Sequence, residues 1–162
     1  MISTSGTSTK ELLNYADQVD LALMVVSVLD LKRMPVLNRQ SKFITDASSY
    51  KNLIINADSN PTGFGSHWTA LHANNNYVIL YDPFGAPPAP EILAFAKKFH
   101  HRKAIINITN GSQDPKAATC GHWCIYFLYC MNNGIKLTQY LAALSDNTEE
   151  NEKLLKKFFD ML

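Results

Sequence analysis

Apolar positions along this chain follow a helical period in some stretches and a strand period in others. Leu12, Leu13 and Ala16 form a helical stripe, and Ser8 followed by Glu11 has the spacing of a capping box, so a helix is predicted there. Residues 1–8 are Ser/Thr-rich and are expected to be mobile. The run from Leu23 to Leu29 is short and rich in β-branched residues, which predicts a buried strand, and residues 53–56 predict another. Pro61, Gly63 and Gly65 mark a loop that leads into a strand from His67 to Leu71. Asn74-Asn75-Asn76 is turn chemistry before a further strand from Tyr77 to Tyr81, so these two strands should form a hairpin.

Asp82-Pro83-Phe84-Gly85 ends the second strand of that hairpin, because the prolines at 83, 87, 88 and 90 cannot donate to a ladder. Glu91 to Phe99 reads as an amphipathic helix, residues 104–109 as a strand and Asn110-Gly111 as a turn. From Cys120 to Asn132 the chain is apolar on nearly every side, the pattern of a buried central helix, and Asn133-Gly134 is a stop signal. Two more helices are predicted over 137–144 and 148–161, the last with Lys and Glu on its outer face. No repeat or linker-like stretch divides the sequence, so residues 1–162 are read as one domain. Helix, strands, helix, strand, buried helix and helices in that order predict an α+β fold, a sheet packed against helices.

Composition narrows the function. Hydrophobic residues make up 46% and charged residues 18%, a globular balance, and the formal net charge of +1 argues against DNA binding by the whole surface. Three cysteines imply no disulfide framework and suit a reducing compartment. No signal peptide is read at the N-terminus, and the longest apolar run, Leu21 to Leu29, is too short to span a bilayer, so a soluble intracellular protein with no membrane partner is expected.

Cys120 is the first candidate for chemistry. It follows Thr119, a plausible N-cap, at the start of the most apolar helix, where free N–H groups and partial positive charge favour a thiolate and can hold an oxyanion. Position alone leaves a structural cysteine and a nucleophile equally open. Cys124 and Cys130 lie deeper in the same helix and are read as packing residues. His67 begins a strand after a Gly-rich loop, and Asp82 ends its hairpin partner. A turn centred on Asn74 to Asn76 puts the two roughly opposite each other, about 5 Å apart at Cβ, which suits a carboxylate orienting an imidazole. A surface histidine and a turn-forming aspartate are the alternative. Gln113 lies in a loop just before Cys120, where its amide can donate to the same oxyanion or simply be solvated. Trp68 points opposite to His67 on strand alternation, so it is either core or the roof of a narrow substrate channel.

Taken together, Gly65-Ser66-His67-Trp68-Thr69-Ala70-Leu71, Tyr81-Asp82-Pro83-Phe84-Gly85, Gln113 and Ala118-Thr119-Cys120-Gly121 resemble, in the same order, the adenovirus maturation protease family (adenain). Asp30-Leu31-Lys32-Arg33-Met34-Pro35 faintly echoes another of its segments. Broader relatives are the Ulp-type deSUMOylating peptidases and the maturation proteases of virophages, Polinton-like elements and large DNA viruses. The resemblance covers most of residues 8–132 and implies a papain-like cysteine peptidase fold. It further implies Cys120 as nucleophile, His67 as base, Asp82 as third member and Gln113 in the oxyanion hole, with Trp68, Gly65 and Gly121 at the substrate. Adenovirus enzymes usually carry Glu where Asp82 stands. Asp is the Ulp-type choice, whereas the following Pro-Phe-Gly is the viral pattern.

The resemblance also implies cleavage of capsid and other virion precursors after small, Gly-rich sequences, inside the infected host cell and within the virion. Adenovirus proteases are stimulated by a cysteine-joined viral peptide and by DNA. No required cofactor is expected here, since neither Cys124 nor Cys130 should reach the surface, while the resemblance leaves an activating peptide or DNA open. The basic cluster Lys97, Lys98, His100, His101, Arg102 and Lys103 is either a DNA contact or a solvated helix end. The competing activity is a deconjugating peptidase acting on ubiquitin-like Gly-Gly tails. A third reading, a metal-binding module of Cys120, His122, Cys124 and Cys130, has poor closure because 122 is off the face that 120 and 124 share, so no metal is expected.

Overall fold

A computed structural model describes residues 6–32, 51–57, 67–100 and 103–162. The predicted loop with Pro61, Gly63 and Gly65 lies outside these residues, as do Arg33-Met34-Pro35, His101 and Arg102. The elements run α1 (Thr9–Gln18), β1 (Met24–Ser27), α2 (Val28–Leu31), β2 (Asn52–Asn56), β3 (Trp68–Ala73), β4 (Tyr77–Tyr81), α3 (Pro90–Phe99), β5 (Ala104–Ile108), α4 (Cys120–Asn132), α5 (Leu137–Ala142) and α6 (Thr148–Asp160).

The strands form one mixed sheet in the order β1-β2-β3-β4-β5. The outer pairs β1/β2 and β4/β5 are parallel, and the inner pairs β2/β3 and β3/β4 are antiparallel. Alternation along the strands splits the core into two layers. Ile54, Trp68, Ala70, Ile79 and Tyr81 face α1, α4, α5 and α6, whereas Leu53, Ile55, Leu71, Val78 and Leu80 face α2 and α3. Leu53, Ile54 and Ile55 are fully buried, each worth about 1.5–3 kcal/mol of hydrophobic stabilisation. The α+β arrangement read from the sequence is the observed one.

Local chemistry explains the boundaries. Ser8 and Glu11 form the predicted capping box on α1. The predicted strand over Leu23 to Leu29 is cut short: the Ser27 hydroxyl accepts the Asp30 N–H at 3.2 Å and caps α2, which takes over at Val28. Thr7, within the segment expected to be mobile, is buried, and its carbonyl accepts the Trp68 indole N–H at 3.0 Å. In α4, Trp123, Cys124, Ile125, Phe127 and Leu128 are all fully buried, which is why this helix shows no polar face. Gly134 ends it with φ +82°, a conformation that a glycine adopts without strain.

Candidate active site

His67 lies just before β3 and Asp82 just after β4, so both project from the same end of the inner hairpin. The pairing Ala70↔Tyr81 sets Asp82 level with Thr69, two residues along from His67 and not opposite it as expected. The turn is responsible. A turn symmetrical about Asn75 would already set Asp82 level with Trp68; Asn74 accepts the N–H groups of Asn76 and Tyr77 on its side-chain oxygen, and Ala73 pairs with Val78, one position later still, which completes the offset. A two-residue offset keeps both side chains on one face, and His67 Nε2 meets Asp82 Oδ2 at 2.6 Å.

Asp82 is buried and is itself held in place, since its Oδ1 accepts the Phe84 N–H at 2.8 Å. The thiol of Cys120, at the first residue of α4, is within hydrogen-bonding reach of His67. With Nε2 on the carboxylate, Nδ1 is the nitrogen left for sulfur. His67 is pushed up to about 9, first by the hydrogen bond to Asp82 and second by the one to Cys120, against a smaller opposing effect of burial. The ring is therefore an imidazolium at neutral pH. Phe84 stacks on it at 5.4 Å between centroids and an interplanar angle of 21°, close enough for its π face to favour the cation. Sequence reasoning quoted Phe84 only as part of a motif and missed this contact.

The turn after β4 is bolted to the loop that carries Gln113. The N–H groups of Ser112 and Gln113 both donate to the Pro83 carbonyl, at 2.9 and 3.0 Å, and the hydroxyls of Tyr81 and Ser112 are hydrogen-bonded. Gly85 has φ +76°, and a Cβ there would stand 2.6 Å from the Thr109 carbonyl oxygen, so only glycine fits. Gln113 is buried, and its Nε2 donates to the Ala117 carbonyl at 2.6 Å, which fixes the amide orientation and leaves one N–H for another acceptor. His67, Asp82, Gln113 and Cys120 all line a single cleft of about 660 Å³, whose wall also includes Gly6 and Phe84.

Of the residues expected at the substrate, Trp68 turns into the core and Gly121 packs against α1. Trp68 is 4% exposed and packs in the core, because strand alternation turns it away from His67, and its N–H is used by Thr7. Gly121 is buried against α1 and the segment before it: a Cβ there would come within 2.9 Å of Leu12 and 3.1 Å of Thr7, so its lack of a side chain lets Thr7 and Leu12 approach the start of α4. Gly65 lies outside the described residues. Cys124 and Cys130 are buried in the core, and burial pushes both thiols up. His122 is packed against Tyr15 and Phe159, away from the cleft. Of the four residues in the metal-module reading only Cys120 lines the cleft, and among the described residues no group of three or more His, Cys, Asp or Glu side chains is arranged to hold a metal ion. His100, a member of the basic cluster, is buried.

The fold is similar to those of two solved proteases. Against ASFV pS273R protease the TM-score is 0.58 at 15% identity, covering 92% of this chain and 65% of that one. Against the SUMO protease Ulp1 with its catalytic cysteine oxidized to a sulfinic acid it is 0.50 at 13% identity, covering 78% and 64%. The chain thus spans slightly less than two thirds of either protein's length. No family model matches the sequence, and no curated protein matches it.

Proposed function

We propose that this chain, which has the α+β fold of the Ulp-type cysteine peptidases, is a cysteine endopeptidase that cleaves virion structural precursors after small, Gly-rich sequences. One observation above the rest supports it. The sulfur at the amino end of a buried helix is in hydrogen-bonding reach of an imidazole whose other nitrogen lies 2.6 Å from a buried carboxylate.

In this reading His67 Nδ1 holds the Cys120 proton, and the thiolate sulfur attacks the scissile carbonyl carbon. The oxyanion is met by N–H groups at the start of α4, where Thr119 makes no side-chain cap, and by the remaining Gln113 N–H. Collapse breaks the C–N bond, and the imidazolium returns its proton to the leaving amine. Water, deprotonated by His67, then attacks the thioester, releasing the acid product and restoring the thiol. Asp82 keeps the ring oriented throughout.

The alternative is a deconjugating peptidase acting on ubiquitin-like Gly-Gly tails, favoured by the fold likeness to Ulp1 and by Asp, not Glu, at position 82. The Pro-Phe-Gly that follows and the fuller overlap with ASFV pS273R protease favour the viral reading. The test is to incubate capsid precursors bearing Gly-Gly sites, and separately a tail-labelled ubiquitin-like protein, with wild type and Cys120→Ala. Precursor cleavage by wild type alone is expected. Release of the tail label without precursor cleavage would reverse the order of the two readings, and no difference between the enzymes would remove both.

A further inference from the structure

The C-terminal helix α6, read from sequence as having Lys and Glu on its outer face, holds the segments that carry Gln113 and Cys120. Glu152 Oε1 accepts three hydrogen bonds from separate points of the chain: the Asp114 N–H at 3.1 Å, the Thr119 hydroxyl at 2.8 Å and the Trp123 indole N–H at 3.1 Å. The preceding residue, Asn151, is buried and donates from Nδ2 to the Ser112 carbonyl at 3.2 Å. Residues 112 and 114 flank Gln113, and Thr119 immediately precedes Cys120. Two consecutive residues of α6 thus grip both sides of the Gln113 loop and the start of the nucleophile helix.

The contact with Thr119 has a second effect. A threonine at an N-cap ordinarily turns its oxygen onto the N–H groups of its own helix. Here the hydroxyl donates to Glu152, and α4 carries no side-chain cap. The N-cap side chain therefore does not compete with an oxyanion for those N–H groups.

We infer that Glu152 is a positioning residue: it holds Gln113 and Cys120 at a fixed separation and keeps the amino end of α4 uncapped. The inference rests on the peptidase reading for the roles of Gln113 and Cys120, so its test has one readout that needs no substrate. Oε1 accepts from all three donors, and Oε2 adds only a second, longer contact to the Thr119 hydroxyl at 3.1 Å, so Glu152→Gln keeps the shared acceptor and should stay close to wild type. Glu152→Ala should lower kcat at least about tenfold with KM little changed, a loss approaching that of an oxyanion-hole donor. It should also slow iodoacetamide alkylation of Cys120, followed by peptide mass mapping, in a protein whose circular dichroism is unaltered.

Unchanged kcat and unchanged alkylation in Glu152→Ala would overturn the inference, as would an equal loss in Glu152→Gln. If Glu152→Ala does not fold, Thr119→Val, which keeps shape and loses the hydroxyl bond, is expected to reproduce the fall in kcat and in alkylation, and wild-type values would again overturn it. Should wild type and Cys120→Ala fail alike to cleave, the peptidase reading falls, while the alkylation rates still decide the role of Glu152.

Discussion

His67 Nε2 and Asp82 Oδ2 stand 2.6 Å apart although the two residues are offset by two positions across the hairpin. That contact is the main reason the imidazole is pushed up to about 9 from an ordinary value of 6.5.

The raised value sets a sign for pH dependence. A histidine that binds its proton more tightly when folded stabilises fully below about 6.5, and that contribution is lost as pH rises through about 9. The unfolding midpoint should therefore fall between those values, and Asp82→Asn should flatten the fall. Thermal melts across pH check this, and an equally steep decline in both proteins would contradict a carboxylate-held imidazolium.

Cys120→Ala should abolish cleavage and leave the fold intact, since little volume changes at a partly exposed site. Cys124→Ala should keep most activity and lose about 1 kcal/mol of stability to a small core void. Rate assays and denaturant titrations on both variants separate these outcomes. Equal loss of activity would contradict the assignment of chemistry to the helix start. In the wild type, alkylation near neutral pH followed by mass mapping should find Cys120 modified far ahead of Cys124 and Cys130.

Gly85→Ala tests the bolt between the β4 turn and the Gln113 loop. The left-handed φ costs a non-glycine about 1–3 kcal/mol, and the new Cβ would meet the backbone of Thr109 and Gly111 at 2.6 and 2.8 Å. The variant should be less stable and slower in kcat, because Asp82 and Gln113 both hang on that turn. Full activity with reduced stability would uncouple the turn from the site.

His122 is fully buried and is held down at about 4 by burial, and His72 behaves likewise. Each is neutral when folded but takes a proton below about 6.5 when unfolded, so stability is present above that value and drains away as pH falls towards 4. His122→Leu should make the acid side of the stability curve shallower. An unchanged acid slope would mean that His122 is not among the groups that must charge on unfolding.

The amino-acid pattern by itself determined which elements form. The capping box at Ser8 and Glu11, the Asn turn of the hairpin and the all-round apolar helix from Cys120 are properties of neighbouring residues, legible from local spacing. It also singled out His67, Asp82, Gln113 and Cys120, partly by position at element ends and partly by resemblance. Only the tertiary structure decided that Trp68 is core, that Gly121 makes room for the N-terminal segment, and that Glu152 grips the site from a helix some thirty residues away. Those outcomes depend on which surfaces meet across long separations in the chain, and on a hairpin register that one turn residue shifts. Period and spacing hold no information about a partner that arrives from another element.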